Sequence, residues 1–330
     1  MTADLDDIIH FLKEDQLLDS NHPVAVSPLQ GGVSSDIHLI ENGPNKYVLK
    51  EALERLKVRD VWEADVSRNF AEQAFIEYVS TFRPDAVPKI IYRDQVQPYF
   101  MMEYLGPPFV NWKAKLLAGS FEPVDASRIV DLLVDIHNHS HADERIPGLF
   151  DYADNFYSLR IEPYLITTGD RHPDLKNIFH KEAERLRTCH VTLVHGDFSP
   201  KNLLVSEDRV VLLDHEVANY GDPAFDLAFL LNHIILKRIH LKDKIIDQSD
   251  LALPIWEHYF KGIALDNIPD LMSRTSRLIL MLLLARVDGK SPVEYLESAD
   301  QQRIRDFTHR VLPSPDSSNF KSYYQQILQW

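Results

Sequence analysis

With 330 residues, of which 45% are hydrophobic, the chain is long enough to bury a core in about two domains or lobes. Acidic residues outnumber basic ones by 50 to 35, and the net charge of −15 argues against nucleic acid or an anionic membrane surface as a partner. The single cysteine, Cys189, excludes an intramolecular disulfide and predicts a reducing compartment, the cytoplasm.

The N-terminal stretch MTADLDDIIHFLKEDQLL predicts an amphipathic surface helix, because it is acidic where a secretion signal would begin with basic residues. The longest apolar run covers residues 278–285, far short of the roughly 20 residues that span a bilayer. We therefore expect neither a secretion signal nor a transmembrane helix.

Residues 24–103 are rich in strand patterns. The segments IHLIE, KYVLKEAL, KIIYRD and PYFMMEY carry the apolar residues, and the turn NGPN separates the first two. One helical stretch lies among them. This region predicts a small antiparallel sheet with one helix.

The sequence GPP at 106–108 ends the strand-rich region, and most of the chain beyond it has helical periodicity except for a predicted hairpin region over 191–216. This order predicts an α+β fold with a small sheet lobe over 1–104 and a larger, mainly helical lobe over 105–330. A cleft between two such lobes is a common place for a ligand.

The predicted helix over 67–82 carries one carboxylate toward its apolar face. At about 100° per residue, Glu72 lies at the edge of the apolar stripe, whereas Glu77 points toward solvent. A carboxylate placed inward needs a cationic partner, and Lys50 in the strand KYVLKEAL is the candidate. The alternatives are an exposed Lys50 and a Glu72 that pairs with Arg68 along the helix.

Three polar residues lie between two apolar runs in LVHGDFSPKNLLV, residues 193–205: His195, Asp197 and Asn202. A core gains nothing from polar groups at the ends of strands, so this pattern indicates a site. Asp197 is the natural proton acceptor for an attacking hydroxyl, and we expect His195 to support the loop. The alternative is a set of turn-capping residues, because Asp and Asn favour turns.

The segment NLLVSEDRVVLLD predicts a hairpin centred near residue 208, which would place Asn202 opposite Asp214. An amide oxygen and a carboxylate so placed suit Mg²⁺ when phosphate oxygens complete its coordination shell. Glu216 would point to the same side as Asp214 and is a further candidate ligand. The alternative is a solvated edge strand that carries both carboxylates.

The pattern H-x-D-x-x-x-x-N followed by a strand-borne Asp is that of the catalytic loop and metal-binding Asp of the protein-kinase fold. The segments HGDFSPKNLL, LLDHEVANYGDPAFDLA and LQGGVSSDIHLIE together resemble the aminoglycoside phosphotransferase/choline kinase family of small-molecule kinases. The resemblance covers about residues 24–300. It implies a protein-kinase-like two-lobe fold whose N-terminal lobe binds the nucleotide.

The resemblance also implies roles for individual residues. Asp197 would be the catalytic base, and Asn202 and Asp214 would hold Mg²⁺. Lys50 would contact the α- and β-phosphates of ATP and would be fixed by Glu72. Met102 would occupy the gatekeeper position. The backbone of Glu103 and Leu105 would contact adenine, and Asp226 would brace the catalytic loop.

The loop over the phosphates would be LQGGVSSD, residues 29–36. It departs from the G-x-G-x-x-G of protein kinases, because Gly31 and Gly32 are adjacent. Backbone N–H groups and the hydroxyls of Ser34 or Ser35 would therefore have to hold the phosphates.

The favoured function is an ATP- and Mg²⁺-dependent transfer of phosphate to a hydroxyl of a small molecule. Only eleven residues separate Asp214 from Asp226, too few for the segment on which protein kinases dock a peptide. One rival is a metal-dependent phosphohydrolase that uses His195, Asp197, Asp214 and His215. Another is a nucleotide-binding protein without catalytic activity.

The sequence leaves the acceptor open among aminoglycosides, choline-like amines, homoserine and modified sugars, all of which the resembled family includes. Asp151, Asp154 and Glu162 could receive a cationic amine, but they are equally ordinary surface charges. Arg286 and Asp288 follow a buried-looking helix and are the candidates for the acceptor pocket.

Overall fold

A computed structural model describes residues 5–29, 35–53, 65–94, 96–242 and 250–330. The chain forms two compact units. The N-terminal unit comprises Met1–Phe109 and Val211–Glu216, and the C-terminal unit comprises Val110–Val210 and Val217–Trp330. The functional division into a nucleotide lobe over 1–104 and an acceptor lobe over 105–330 stays a prediction, because compactness alone assigns no ligand.

An antiparallel five-stranded sheet forms the frame of the N-terminal unit, with the strand order β1-β2-β3-β5-β4. The strands are β1 (Val24–Pro28), β2 (Ser35–Asn42), β3 (Asn45–Ala52), β4 (Ile90–Arg93) and β5 (Tyr99–Glu103). Between β2 and β3 the chain turns at Gly43, whose φ of 59° suits glycine. Lys50 pairs with Ile37 on one side and Phe100 on the other, so it lies in the middle of the sheet.

In the described part of the N-terminal unit there are two helices, α1 (Leu5–Glu14) and α2 (Arg68–Ser80). Ile8 and Leu12 of α1 pack in one buried cluster with Leu49 and Met101 of the sheet. Each such side chain stabilises the fold by roughly 1.5–3 kcal/mol. The amphipathic helix predicted at the N-terminus is thus present, with its apolar face on the sheet.

The C-terminal unit is mainly helical. Its helices are α3 (Trp112–Leu117), α4 (Pro123–His141), α5 (Ile146–Leu149), α6 (Ala153–Phe156), α7 (Thr167–Arg171), α8 (Lys176–Thr188), α9 (Ala224–His240), α10 (Ala252–Gly262), α11 (Ile268–Asp288), α12 (Ser298–Val311) and α13 (Phe320–Ile327). A π-helical segment, Tyr157–Ile166, joins α6 to α7. The sequence of α9 is apolar on nearly all sides and the helix is almost fully buried, whereas α11 is continuously buried only over residues 278–285.

Short strands hold the ends of the predicted catalytic loop. They are β6 (Val110–Asn111), β7 (Thr192–Val194), β8 (Leu203–Val205), β9 (Val210–Leu212) and β10 (Asn219–Gly221). β7 pairs with β10 and β8 pairs with β6, both antiparallel. The hairpin turn predicted near residue 208 is present, because the Ser206 N–H donates to Arg209 O at 2.8 Å. The α+β class predicted from the sequence is confirmed.

Within the described ranges, every helix is too short or too polar to cross a lipid bilayer.

Candidate active site

The loop between β7 and β8 carries Asp197 on a sharp turn at Gly196. Gly196 has a φ of 75°, and a Cβ at this position would lie 2.8 Å from the carbonyl oxygen of Val217. Both facts require glycine here. The turn comes directly after the buried strand residue Val194, so the chain reverses where the apolar run ends.

Asp226, in the first turn of α9, contacts the backbone of this loop, for which the family resemblance implied a brace. Its two carboxylate oxygens accept the backbone N–H groups of His195, at 2.7 Å, and Gly196, at 2.9 Å. The His195 ring accepts the Asp197 N–H at Nδ1, at 3.1 Å, so its proton must be on Nε2. All three interactions are buried, and they fix the backbone on both sides of Asp197.

Two cations hold the carboxylate of Asp197, whose side chain is only 5% exposed. Its Oδ2 lies 2.9 Å from Arg160 Nη2 and 2.9 Å from Lys201 Nζ. The Ser199 hydroxyl donates to Oδ1 at 3.4 Å. The carboxylate is therefore oriented by neighbours on both oxygens.

Arg160 is a site residue that the sequence reasoning missed. It lies in the π-helical segment, and its Nε donates to Gly196 O at 2.5 Å, so it fixes the turn as well as the carboxylate. The only signal in the sequence is an arginine in the largely apolar stretch NFYSLRIEPYLI.

Asn202 closes the loop. Its Nδ2 donates to the backbone carbonyl of Asp197 at 3.0 Å, and the side chain is buried. The amide is thus oriented with Oδ1 as the atom that could bind a cation.

In the N-terminal unit, Lys50 forms the ion pair with Glu72 that the sequence predicted. Lys50 Nζ lies 2.7 Å from Glu72 Oε2 and 2.6 Å from Asp214 Oδ1. Although burial lowers the pKa of Lys50, the attraction of Asp214 and then of Glu72 outweighs it and raises that pKa above its ordinary value. The lysine remains charged, and its head group is fixed by two carboxylates.

Asp214 has a left-handed backbone conformation with a φ of 64°. A non-glycine residue in this region costs on the order of 1–3 kcal/mol, and such strain clusters at functional sites. The residues of β9 that precede it are buried, which does not fit the alternative of a solvated edge strand. The Asp214 side chain is 29% exposed, so one face of the carboxylate reaches solvent.

Glu216, the further candidate metal ligand, pairs with the fully buried Arg68, whose Nε donates to Glu216 Oε2 at 3.1 Å. Arg68 also donates to the backbone carbonyls of Leu53 and Asp65. Glu72 therefore pairs with Lys50, and Arg68 pairs with Glu216. The alternative of a pair between Glu72 and Arg68 along the helix does not fit these contacts. The role of Glu216 at a metal stays a prediction.

His215 stacks on Phe75 with ring centroids 4.5 Å apart, and it is fully buried. Burial, followed by the nearby charge of Lys50, lowers the pKa of His215 to about 3, so the ring is neutral. This packing gives His215 a structural role.

The predicted adenine contacts lie at the end of β5. Met102 pairs with Val48 and Ile90 inside the sheet. The Glu103 N–H donates to Lys89 O at 2.9 Å, so only its carbonyl could contact adenine, whereas Leu105 lies beyond the strand. In the phosphate loop, Gly31, Gly32 and Ser34 lie outside the described residues, and Ser35 is the buried first residue of β2.

A cavity of about 100 Å³ in the C-terminal unit has Asp197 on its wall, together with Arg286. Asp288 is not among its lining residues, because its two oxygens accept bonds from Arg305 and it lies 3.0 Å from His172. Glu162 does not line the cavity either and pairs with Lys290 at 2.7 Å. The lining residues are Lys113, Tyr164, Asp197, Lys201, Phe229, His233, Lys237, Arg286, Ser291 and Tyr295.

Two solved structures that resemble this chain are named as kinases of small molecules. The chain is similar to amicoumacin kinase hAmiN, with a TM-score of 0.58, 15% identity and 97% of each chain covered. It is also similar to choline kinase LicA from Streptococcus pneumoniae, with a TM-score of 0.51, 14% identity and 99% of each chain covered. At such low identities the structural similarity shows the fold alone. It confirms the predicted protein-kinase-like fold class.

The model of the phosphotransferase enzyme family matches residues 25–238, and the chain belongs to this family. A curated relative is methylthioribose kinase 1 of Oryza sativa subsp. japonica, 24% identical over 229 residues. That match covers 61% of this chain and 53% of the relative, so the chain spans about half the length of the curated relatives it matches.

Proposed function

We propose that this protein transfers the γ-phosphate of ATP to a hydroxyl group of a small molecule. The observation that carries the proposal is the placement of the Asp197 carboxylate on the wall of a small cavity by a loop that is braced at both ends. Membership of the phosphotransferase enzyme family supports the same reaction class.

Asp197 would act as the general base. The acceptor hydroxyl gives its proton to this carboxylate as its oxygen bonds to the γ-phosphorus, and the bond from that phosphorus to the bridging oxygen of ADP breaks. Arg160 and Lys201 hold the carboxylate in position for this transfer. A base so placed typically contributes 10²- to 10⁴-fold to the rate.

The residues proposed for Mg²⁺ suit its chemistry. Asn202 offers an amide oxygen and Asp214 a partly exposed carboxylate, which are the hard oxygen ligands that Mg²⁺ prefers. Among the described residues, no three His, Cys, Asp or Glu side chains form a metal cluster, which fits an ion completed by water and phosphate oxygens. When bound there, Mg²⁺ would neutralise charge on the transferring phosphoryl group.

Lys50 would contact the α- and β-phosphates. Glu72 holds its ammonium group from one side, so the lysine need not lose side-chain entropy when a nucleotide binds. The carbonyl of Glu103 and the backbone of Leu105 would contact adenine, with Met102 beside it.

The test compares Asp197→Asn with the matched variant Asp208→Asn, which removes a carboxylate from the exposed turn after β8. ADP release with ATP, Mg²⁺ and a panel of hydroxyl compounds should fall by roughly 10²- to 10⁴-fold in Asp197→Asn only. Both variants should still bind ADP, as measured by thermal shift.

Three results would contradict the proposal. If Asp197→Asn turned over at the wild-type rate, Asp197 would not be the general base. Hydrolysis of phosphoesters without ATP would favour the phosphohydrolase, and nucleotide binding without turnover of any compound would favour a catalytically silent protein.

A further inference from the structure

The cavity beside Asp197 is strongly basic, although the chain as a whole is acidic. Four of its lining residues are lysine or arginine, and Asp197 is its one carboxylate. In the full sequence, acidic residues outnumber basic ones by 50 to 35. The charge of the cavity is therefore a local property that the average composition does not explain.

Two of these cations, one buried and one half-buried, lack a counter-charge among the described residues. Lys201 pairs with Asp197, but in the described ranges no carboxylate forms an ion pair with Lys237 or Arg286. Lys237 is 1% exposed, and its Nζ donates only to the His233 carbonyl, at 3.3 Å. Buried cations normally have an anionic partner, so the missing partner indicates a ligand.

Unsatisfied polar atoms occur on the same wall. Arg286 Nε and Tyr295 Oη are buried and have no hydrogen-bond partner in the part of the chain that the structure describes. Arg286 Nη1 donates to Tyr164 Oη, at 3.1 Å, and to Ser291 Oγ, at 2.8 Å. Such atoms are rare in folded proteins and call for a ligand, an ion or water.

The electrostatics of Lys237 agree with this arrangement. Burial, followed by the positive charges of Lys113 and Arg286, lowers the pKa of Lys237 to about 7. An anion beside it would restore the charged form. Burial and the charge of Lys237 likewise lower the pKa of His233. The neutral ring adds no positive charge and has one hydrogen-bond donor and one acceptor.

We infer that the acceptor is a small anionic alcohol, with its carboxylate or phosphate group held by Lys237 and Arg286 and its hydroxyl directed to Asp197. This inference rests on the proposed function and names its substrate class. The cavity of about 100 Å³ is smaller than the roughly 300–1,000 Å³ of pockets that enclose drug-sized ligands, which favours an acceptor of few atoms.

The same charges disfavour cationic acceptors. An amine-bearing compound would meet Lys113, Lys237 and Arg286, and the single carboxylate on the wall is already paired with Arg160 and Lys201. Like charges in a poorly solvated cavity repel strongly. The acidic residues Asp151 and Asp154 do not line the cavity and cannot offset this repulsion there.

The first experiment measures kcat/KM for ADP release and, in parallel, the thermal shift with ADP and Mg²⁺ for a matched set of compounds. Glycerol is the neutral member, glycerate and glycerol 3-phosphate are the two anionic members, and choline is the cation. We expect an anionic member to exceed glycerol by roughly 10- to 100-fold, the value of a charged hydrogen bond. Whichever of the two anionic members has the higher kcat/KM shows whether the pocket prefers a carboxylate or a phosphate group.

Each outcome decides one of the two proposals. Binding of an anionic member without turnover would keep the anionic pocket and overturn the kinase reaction. Equal or better turnover of glycerol or choline would overturn the anionic pocket and keep the kinase reaction. If neither anionic member shifted the unfolding temperature, the inference would be overturned.

The second experiment uses Arg286→Gln and Lys237→Met, with Arg277→Gln as the control because Arg277 lies in the same helix as Arg286 and outside the cavity. The two cavity variants should raise KM for the anionic acceptor by roughly 10- to 100-fold. KM for ATP should change much less. An equal rise in both KM values would mean that the cluster serves the nucleotide phosphates, and it would overturn the inference.

Discussion

In the N-terminal unit the buried Lys50 contacts the carboxylates of Glu72 and Asp214, and the buried Arg68 contacts Glu216. In the C-terminal unit the equally buried Lys237 contacts a backbone carbonyl and lies 5.7 Å from the centre of the Tyr295 ring. The first group of cations has its counter-charges within the protein. Lys237, by contrast, has no carboxylate partner in the described part of its unit.

This contrast distinguishes two uses of a buried cation. A compensated cation is fixed before any ligand arrives, which suits the orientation of a phosphate chain. An uncompensated cation is unfavourable in the free protein and becomes favourable when an anion binds, so part of its cost is regained as affinity. Substitutions in the two groups should therefore change stability in opposite directions.

Lys50→Met should give the largest loss of stability. It leaves Glu72 and Asp214 without their shared cation, and removal of one partner from a buried ion pair typically costs 3–5 kcal/mol. Urea unfolding measures the loss. Activity should fall as well, because the proposed phosphate contact is absent.

The double variant Lys50→Met/Glu72→Met separates these two effects. Removal of the buried Glu72 charge should restore much of the free energy of unfolding but none of the turnover. Recovery of both would mean that Lys50 serves packing alone. A single variant as stable as the wild type would remove the basis of the comparison.

Asp226→Asn should have a smaller effect, because the brace loses one of its two acceptor oxygens. An amide can still accept one N–H of the loop, from His195 or Gly196, but leaves the other buried and unsatisfied, at a cost of about 1–3 kcal/mol. Since Asp226 does not line the cavity, kcat should fall more than KM for the acceptor. A rise in KM with unchanged kcat would assign Asp226 to binding.

Local patterns predicted the features that depend on nearby residues. The spacing of His195, Asp197 and Asn202 identified the loop, and the turn of a helix was enough to direct Glu72 inward toward Lys50. For Glu72, the period of the helix fixes the direction of the side chain. The Mg²⁺ ligands and the adenine contacts stay predictions.

Long-range contacts were not predictable in the same way. Arg160 reaches Asp197 from a π-helical segment 37 positions earlier, and no local periodicity indicates that approach. Lys237 has the sequence position of an ordinary cation in the last turn of a helix, where the helix dipole favours it. Only the packing of α9 against its neighbours buries it, and this packing depends on the whole unit.

Lys237→Met should have the smallest effect on stability, and of the opposite sign. Methionine fills a similar volume without a charge, so the free protein should gain roughly 1–2 kcal/mol at pH 7 while it loses affinity for an anionic acceptor. Thermal and urea unfolding of the two proteins measure the gain. A loss of stability would mean that Lys237 has its counter-charge after all.

The pH dependence gives this last comparison a sharper form. The pKa of Lys237 is about 7 in the folded protein, against an ordinary value of 10.5, so the unfolded chain binds more protons between these values. The cost of burying the lysine is therefore full below pH 7 and decreases as the pH rises toward 10.5. The charged groups that face it are Lys113 and Arg286. From pH 7 to 9 the wild type should thus gain stability relative to Lys237→Met, by at most about 1.4 kcal/mol per pH unit, whereas parallel curves would show that Lys237 does not titrate there.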